Sequence, residues 1–312
     1  MGLPTSLESG RWNRECGLIE PMGVMHAKNQ SRGCGFADAH VGPLGDLFPA
    51  GNCDERVMID CGPASTYKMY RMGVSPTEIE HLFFTHLHSD HISDYPCFLM
   101  TRFDQSIGTE PDLQVYGPPP IKDVTERLWS EDRGVFWYDV VARTNHPMSV
   151  HAYHTRGGTG DRPSPVVHVH EYGEGKVASG KNWECYAREV RHAQPYLECF
   201  GFRFETEEGV IAFSGDTAPT ESVVELARDA DLFVQEIVRL ESDIENRPSR
   251  ISETGSIGAA TMAAEAGAKR LLINHQNDTL EPLDAMALAI KDVKDRFDGP
   301  VYWAQDFTEI EW

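Results

Sequence analysis

Residues 85–91 read Thr-His-Leu-His-Ser-Asp-His and concentrate side chains that bind metal ions. Within these seven positions the chain places four potential ligands, namely His86, His88, Asp90 and His91. Imidazole nitrogen and carboxylate oxygen suit zinc, iron or manganese, and no thiolate is needed. A single histidine is more often a surface or satisfied core residue, but three imidazoles and a carboxylate this close together indicate a site for two metal ions.

The segment before this motif suggests how the ligands divide between two ions. The run 81–84 (His-Leu-Phe-Phe) is typical of the end of a buried strand. Side chains two positions apart on an extended segment point the same way, so His86 and His88 can bind one ion together. Asp90 and His91 follow where the chain must turn, so their side chains can diverge toward a second ion.

The motif H-x-H-x-D-H resembles the signature of the metallo-β-lactamase superfamily. The longer run 85–96 (THLHSDHISDYP) is similar to the branch that contains ribonuclease Z, arylsulfatase and phosphodiesterase. The resemblance covers residues 55–100 and 185–280. It implies a four-layer αββα sandwich, in which two mixed sheets lie between helices. Independently, the alternation of strand and helix patterns in both halves of the sequence favours layered α/β packing.

Four further residues match elements that the family places around its metal site. Each follows an apolar run, and they occur in family order: Asp60, His192, Asp216 and His275. The resemblance implies that Asp60 orients the ligands, that His192 completes the three histidines of the first ion and that Asp216 bridges both ions. His275 would join the two remaining ligands of the motif at the second ion. Taken alone, His192 or His275 could equally be an ordinary buried histidine.

This arrangement predicts hydrolytic chemistry. Two cations about 3.5–4 Å apart can share a hydroxide and lower its pKa toward neutrality. We expect this metal-bound hydroxide to attack an electrophilic centre, and Asp90 both to bind the second ion and to take the proton from the bridging water. Zinc is the expected metal, with manganese and iron as alternatives, because ligand type alone does not separate them.

The composition is typical of a soluble globular protein, with 40% hydrophobic and 25% charged residues among 312. We expect a single metallo-β-lactamase-like domain over residues 1–312. No apolar stretch approaches the roughly 18 residues that a membrane span needs, so no membrane partner is expected. The seven cysteines are scattered and form no C-x-x-C pair, which favours reduced thiols and a cytoplasmic location.

Two segments fall largely outside the resemblance. Residues 1–50 are rich in Gly, Pro and Asn and are expected to be irregular. Residues 100–180 are expected to contain an inserted lid-like segment that shapes the substrate pocket. The candidate pocket residues are Phe136, Trp137, Tyr138, His168 and His170. The aromatic residues could equally be core packing under a lid, and the two histidines could lie on a surface face.

Local patterns predict several element boundaries. Ser75-Pro76-Thr77-Glu78 has the residues of a helix start. Ser252 is the expected cap of an Ala-rich helix that extends to residue 266. Alternating polarity predicts strands at 182–190 and 198–205.

The net charge of −21 bears on the substrate. Such a surface repels phosphate backbones, and no basic run offsets it, so a nucleic-acid substrate is not expected. The leading hypothesis is therefore a dinuclear metal-dependent hydrolase of a small organic substrate, namely an ester, lactone, sulfate ester, phosphodiester or activated aryl ether.

Two alternatives remain. The first is a ribonuclease Z-like endonuclease that processes transfer-RNA 3′ ends. That family has a His-Glu pair after the strand that follows the bridging Asp, whereas this chain has Gln235-Glu236. The second is a catalytically inactive scaffold subunit, which the complete ligand set disfavours. For an active enzyme we also expect a homo-oligomer or a complex with a related subunit.

Overall fold

Two β-sheets lie between helices in the computed structural model, which describes residues 46–49, for their backbone, and 55–310. Of the N-terminal segment 1–50, only Asp46–Pro49 is described, and it forms a strand. The rest of that prediction lies outside the described residues.

Among the described residues, the first sheet has five strands, of which the last four are parallel and the first pairs antiparallel to the second. In spatial order they are β1 (Asp46–Pro49), β2 (Arg56–Ile59), β3 (Ile79–Phe83), β4 (Leu113–Gly117) and β5 (Val167–Glu171).

The second sheet has seven strands within the part of the chain that the structure describes, and their spatial order follows the sequence. They are β6 (Gly175–Ser179), β7 (Trp183–Glu189), β8 (Phe200–Thr206), β9 (Val210–Phe213), β10 (Leu232–Glu236), β11 (Leu271–Asn274) and β12 (Val301–Trp303). The strands β6 to β9 pair antiparallel, and β9 to β12 pair parallel. The predicted strands 182–190 and 198–205 are confirmed as β7 and β8, to within two residues at each end.

Helices cover the outer faces of both sheets. They are α1 (Ser65–Met72), α2 (Ser89–Ile92), α3 (Tyr95–Gln105), α4 (Ile121–Trp129), α5 (Trp137–Asn145), α6 (Pro147–Thr155), α7 (Glu221–Leu226), α8 (Glu241–Ile244), α9 (Ser256–Ala266) and α10 (Leu283–Lys294). Three short 3₁₀ turns span Pro76–Glu78, Pro248–Ile251 and Asp278–Leu280. Buried apolar side chains of α1, α3, α4 and α5 pack on the first sheet, and those of α7, α9 and α10 pack on the second. Within the described residues, no helix is both long enough and apolar enough to cross a membrane.

Aromatic side chains fill the space between the two sheets. The Phe83 ring of β3 lies 5.3 Å from the Phe204 ring and 5.6 Å from the Phe202 ring of β8, measured between centroids. Trp183 of β7 and Phe213 of β9 belong to the same buried cluster. Large rings bury much apolar area per residue, which holds the sheets face to face. The predicted four-layer αββα sandwich is confirmed.

Residues 100–180, which were predicted to contain an inserted lid-like segment, also contain strands of both sheets. Strands β4 and β5 belong to the first sheet and β6 to the second, while α4, α5 and α6 lie between β4 and β5 in sequence. These three helices and their loops lie outside the sheets, as do the end of α3 and the loop that leads to β4. A role for them at a substrate pocket stays a prediction.

Candidate metal centre

Strand ends from both sheets deliver the candidate ligands to one edge of the sandwich. Asp60 follows β2 directly, and His86 follows β3 by three residues. In the second sheet, Asp216 follows β9 by three residues, and His275 follows β11 directly. His192 follows β7 by three residues. The predicted convergence of distant segments is therefore present in the fold.

Three histidines form the first group of ligand atoms, and they are His86, His88 and His192. The Nδ1 atom of His88 lies 2.9 Å from His86 Nε2 and 3.1 Å from His192 Nε2. The Nδ1 atom of His192 lies 2.7 Å from the carbonyl oxygen of Ser252, which can only accept, so that nitrogen carries the proton. The Nε2 lone pair of His192 is therefore free to bind a cation.

The second group contains Asp90, His91, Asp216 and His275. Asp90 Oδ2 lies 3.7 Å from His91 Nε2 and 3.5 Å from His275 Nε2. The Nε2 atoms of His91 and His275 are buried and have no hydrogen-bond partner among the described residues. Buried polar atoms of this kind are costly unless a ligand satisfies them.

Asp216 lies between the two groups. Its Oδ2 atom is 3.3 Å from His91 Nε2 and 3.4 Å from His275 Nε2 in the second group. The same atom is 3.9 Å from His86 Nε2 and 3.8 Å from His192 Nε2 in the first. One carboxylate oxygen thus lies within 4 Å of four imidazole nitrogens, which is the position that a bridging ligand requires.

The electrostatics of the two groups differ. Burial lowers the pKa of His86 well below its ordinary value, and neighbouring histidines lower it further. Burial opposes protonation of His91 too, but the carboxylates of Asp216 and Asp60 outweigh it and raise the pKa of His91. The imidazole of His275, whose Nε2 lies 3.5 Å from Asp90 Oδ2, holds the pKa of Asp90 far below its usual range. Asp90 is therefore charged, and it attracts positive charge to the edge of the sandwich.

The side chains present fit two divalent cations. The donors are imidazole nitrogens and carboxylate oxygens, two of the nitrogens are buried without a partner among the described residues, and one oxygen is close to both groups. This donor set suits zinc, manganese and iron alike.

Asp60 holds the ligand-bearing segments in place. Its Oδ1 accepts from the Thr85 backbone N–H at 2.8 Å, and its Oδ2 accepts from Thr85 Oγ1 and His91 Nδ1, both at 2.8 Å. Because the Thr85 hydroxyl proton goes to Asp60, His86 Nδ1 donates to Thr85 Oγ1 at 3.1 Å, and His86 Nε2 keeps its lone pair. Asp60 thus orients two imidazoles, as metal sites commonly require.

The backbone at the site is unusual at three positions. Asp60 and His275 adopt φ angles of 60° and 55°, in the left-handed region that non-glycine residues rarely occupy. Gly215 has φ 59°, and a Cβ there would lie 2.7 Å from the Phe200 carbonyl oxygen. Glycine at 215 is therefore required for the turn that presents Asp216.

Within the described part of the chain, no contact brings the five predicted pocket residues to this centre. Phe136 and Trp137 pack against the core under the first sheet's helices, and the Tyr138 side chain is 69% exposed. His168 Nε2 contacts Asp112 Oδ2 and His170 Nε2 contacts Gln114 Oε1, each at 3.0 Å across the β4–β5 pair. These histidines alternate on a strand as predicted, but they face β4 side chains because of the strand register.

Three residues that position the site were not assigned this role from the sequence. Thr85 and Ser252 act through the contacts described above. Glu236 is buried, and its Oε1 accepts from the backbone N–H of Thr217 at 2.6 Å, next to Asp216. Burial raises the pKa of Glu236, and the charge of Asp216 raises it further. The sequence signal that could have identified Glu236 is a carboxyl group at the end of the apolar strand β10.

Together, the two layered sheets and the edge cluster of histidines and aspartates define the class of metallo-hydrolases built on an αββα sandwich. The family model described as a β-lactamase superfamily domain matches residues 55–276. The chain belongs to this family, and it is a metal-dependent hydrolase. Membership of this family implies the expected divalent metal ions. It leaves the alternative of a catalytically inactive scaffold subunit without support.

Curated relatives point to a branch within the family. Ribonuclease Z of Streptococcus pyogenes is 26% identical and covers 81% of this chain and 88% of its own length. Ribonuclease BN of Cronobacter sakazakii is 29% identical and covers 73% of this chain and 81% of its own length.

Solved structures share the fold. The metallo-β-lactamase fold protein YhfI of Bacillus subtilis has a TM-score of 0.64 at 18% identity, covering 94% of this chain and 96% of its own. Human tRNase Z, short form, has a TM-score of 0.60 at 19% identity, covering 93% of this chain and 96% of its own.

These comparisons correct one prediction. The net charge led to the expectation that nucleic acid is not a substrate. That expectation is wrong, because the curated relatives are ribonucleases. A net charge sums the whole chain and does not report the groups beside the site. The comparisons also favour the ribonuclease Z alternative over the small organic substrate ranked first from the sequence.

Proposed function

We propose that this chain hydrolyses phosphodiester bonds in RNA, and that its substrate is a transfer-RNA precursor cleaved at its 3′ end. The observation that carries the proposal is the position of Asp216 Oδ2, within 4 Å of imidazoles from both candidate ligand groups. The ribonuclease relatives, which match most of the chain, support the choice of RNA.

The proposed ligands divide between two ions. His86, His88 and His192 would hold the first ion, Asp90, His91 and His275 the second, and Asp216 both. When bound, two divalent cations supply Lewis acidity and lower the pKa of water toward neutrality.

Asp90 is suited to accept a proton during hydrolysis. The Asp90 side chain is 45% exposed, whereas that of Asp216 is 8% exposed, so Asp90 reaches the open side of the site. Since the neighbouring imidazole of His275 keeps its pKa low, Asp90 is a carboxylate at neutral pH and its Oδ2 can take a proton from an attacking water. Glu236, with its raised pKa, holds the backbone of Thr217 and thereby the position of Asp216.

The surface beside His192 offers groups that bind RNA. The hydrogen bond from His192 to Ser252 joins the loop after β7 to the segment after α8. These two segments carry three exposed arginines, namely Arg191, Arg247 and Arg250. Guanidinium groups bind phosphate oxygens well. Tyr196, on the same loop as His192, is 89% exposed and could stack on a base. An acidic protein can therefore still bind phosphates locally.

One observation favours a second candidate, a hydrolase of a small phosphodiester. Gln235 stands where the ribonuclease Z branch has a histidine, and its fully buried side chain donates to the Glu236 carbonyl oxygen at 3.1 Å. An amide there cannot act as an acid or base. If the branch's histidine moves a proton, this chain must use another group or a substrate with a better leaving group.

The test compares the two candidates with one set of proteins. Wild type, Asp216→Asn and the control Asp161→Asn, at an exposed position, are loaded with Zn²⁺ or Mn²⁺. They are incubated with a transfer-RNA precursor that carries a 3′ trailer, and with bis(p-nitrophenyl) phosphate. We expect wild type and Asp161→Asn to release the trailer, and Asp216→Asn to lose at least 100-fold in rate.

The outcomes separate clearly. Hydrolysis of the small diester without cleavage of the precursor would replace the main proposal by the second candidate. Full activity of Asp216→Asn on both substrates would refute the role of Asp216.

A further inference from the structure

A third group of potential ligands lies at the opposite end of the first sheet. One ligand atom from each of Glu55, Glu80 and His81 lies within 4.8 Å of the others. Glu55 immediately precedes β2, and the other two are near the start of β3, whereas the candidate metal centre follows the ends of these strands. At about 3.3 Å per extended residue, His81 and His86 are separated by roughly 16 Å along the chain. The group is therefore distinct from the candidate metal centre.

An irregularity in the β2–β3 pairing brings the group together. Arg56 pairs with Ile79, but Val57 pairs with His81, so Glu80 has no partner on β2. Neighbouring residues of a regular strand point to opposite faces. A bulge re-aims one side chain, and it lets Glu80 approach the same point as His81.

His81 is a buried imidazole with an unused nitrogen. It is 7% exposed, and its ring lies 5.0 Å from the Trp183 ring, edge to face. Its Nδ1 atom is buried and has no hydrogen-bond partner among the described residues. Burial lowers the pKa of His81, so the ring is neutral and can act as a ligand. A buried nitrogen without a partner is costly, and a bound cation would remove that cost.

The carboxylates of Glu55 and Glu80 lie close together, but they differ in the hydrogen bonds that the described residues make to them. Glu55 Oε2 accepts from Trp183 Nε1 at 2.7 Å and from the Lys181 backbone N–H at 3.2 Å, which fixes its position. Across the described part of the chain, Glu80 makes no hydrogen bond or ion pair. Burial raises the pKa of Glu80, and the negative charge of Glu55 raises it further. The positive charge of Arg102 lowers the pKa of Glu80, in opposition to these two effects. The Arg102 guanidinium, however, donates its hydrogen bonds to three backbone carbonyls and not to Glu80.

We propose that Glu55, Glu80 and His81 bind one divalent transition-metal ion that stabilises the fold. One imidazole and two carboxylates suit Zn²⁺ or Mn²⁺, whereas Ca²⁺ prefers oxygen ligands alone. The ion would link the first sheet to the second, because Glu55 is also bonded to Trp183 at the start of β7. Its role is structural, and the proposal does not depend on the substrate proposed above.

Glu80→Gln is the most informative variant, because Glu80 has no hydrogen-bond or ion-pair partner to lose among the described residues and the change preserves its shape. The control is Glu131→Gln, which removes the same charge at an exposed position. A second variant, His81→Gln, removes the imidazole. Each full-length protein is stripped with a chelator, reloaded with Zn²⁺, dialysed and analysed for bound zinc. Thermal unfolding is followed before and after loading.

We expect Glu80→Gln and His81→Gln to bind one Zn²⁺ per chain fewer than wild type and Glu131→Gln. The stripped Glu80→Gln protein should melt at a higher temperature than stripped wild type, since the repulsion from Glu55 is relieved. After loading the order should reverse, because Zn²⁺ stabilises only the protein that binds it there.

Equal zinc content in all four proteins would overturn the proposal. So would a higher melting temperature of Glu80→Gln both before and after loading, which would indicate a proton shared by the two carboxylates.

Discussion

Asp60 shows how one residue can orient a candidate metal ligand, His91, through a hydrogen bond. Its two carboxylate oxygens accept three hydrogen bonds, two from Thr85 and one from His91. The bond to His91 Nδ1 fixes which ring nitrogen carries the proton, and so leaves Nε2 free toward Asp216. The sequence indicated such a residue only through the family resemblance, since an Asp after an apolar strand has many other uses.

Asp60→Asn should therefore weaken metal binding while the fold persists. The new amide group would place N–H donors against the donors of Thr85 and His91, which favours the wrong tautomer of His91. Loss of such a partner costs roughly 10–100-fold in metal affinity. Competition titration with a chromophoric zinc chelator measures the effect.

The matched control for this change is Asp112→Asn. Asp112 also contacts a histidine, His168, but both side chains are about half exposed and neither belongs to the metal groups. Its zinc affinity should equal that of wild type. Equal affinities of Asp60→Asn and Asp112→Asn would show that Asp60 does not orient a ligand.

At the scale of elements, β3 connects the core to the site. Phe83 packs its ring between the sheets, against Tyr116 at 4.4 Å and Phe204 at 5.3 Å, and the histidine motif begins three residues later. The position of the ligands thus depends on how firmly this strand is buried.

Phe83→Ala should destabilise the protein by about 3–5 kcal/mol, because it leaves a cavity in the middle of the sandwich. Tyr138→Ala, which truncates an aromatic ring at an exposed position of α5, should change stability by less than about 0.5 kcal/mol. Urea unfolding monitored by circular dichroism measures both values. A loss below about 1 kcal/mol for Phe83→Ala would mean that the core repacks around the site.

The strands and turns also show which boundaries could be predicted from the sequence. Alternating polarity located β7 and β8, because one face of each strand is buried. Ser75 caps as predicted, but the turn it begins ends at Glu78, since β3 starts at the next residue.

Ser252 was predicted to cap α9, yet the helix begins at Ser256. The Ser252 hydroxyl donates to the Ser249 carbonyl, and its own carbonyl accepts from His192. Such tertiary contacts depend on distant segments and are invisible to a local pattern. The seven metal-ligand candidates were predicted from the H-x-H-x-D-H motif together with the family resemblance, whereas the pocket residues rested only on aromatic character and on two histidines that alternate along a strand.

At the scale of the whole molecule, the net charge of −21 sets a limit on how the proposed RNA substrate can bind. An acidic body repels phosphates away from the site, so few contacts are available beyond the arginines near His192. In a single strand each neutralised phosphate contributes about 0.7 to the slope of log affinity against log salt. Three arginines therefore predict a slope of about −2, well below that of a basic nuclease.

This expectation yields a prediction for Arg250→Gln. In the background of Asp216→Asn, where cleavage should be slow, the change should weaken binding of a transfer-RNA precursor and reduce the salt slope by about 0.7. Fluorescence anisotropy across a potassium chloride series measures both. Arg133→Gln is the control, because Arg133 is exposed but ion-paired with Asp123 and Glu126 on α4. If Arg250→Gln and Arg133→Gln give the same slope as the parent, the segment after α8 does not contact phosphate, and the acidic protein must bind RNA through another surface.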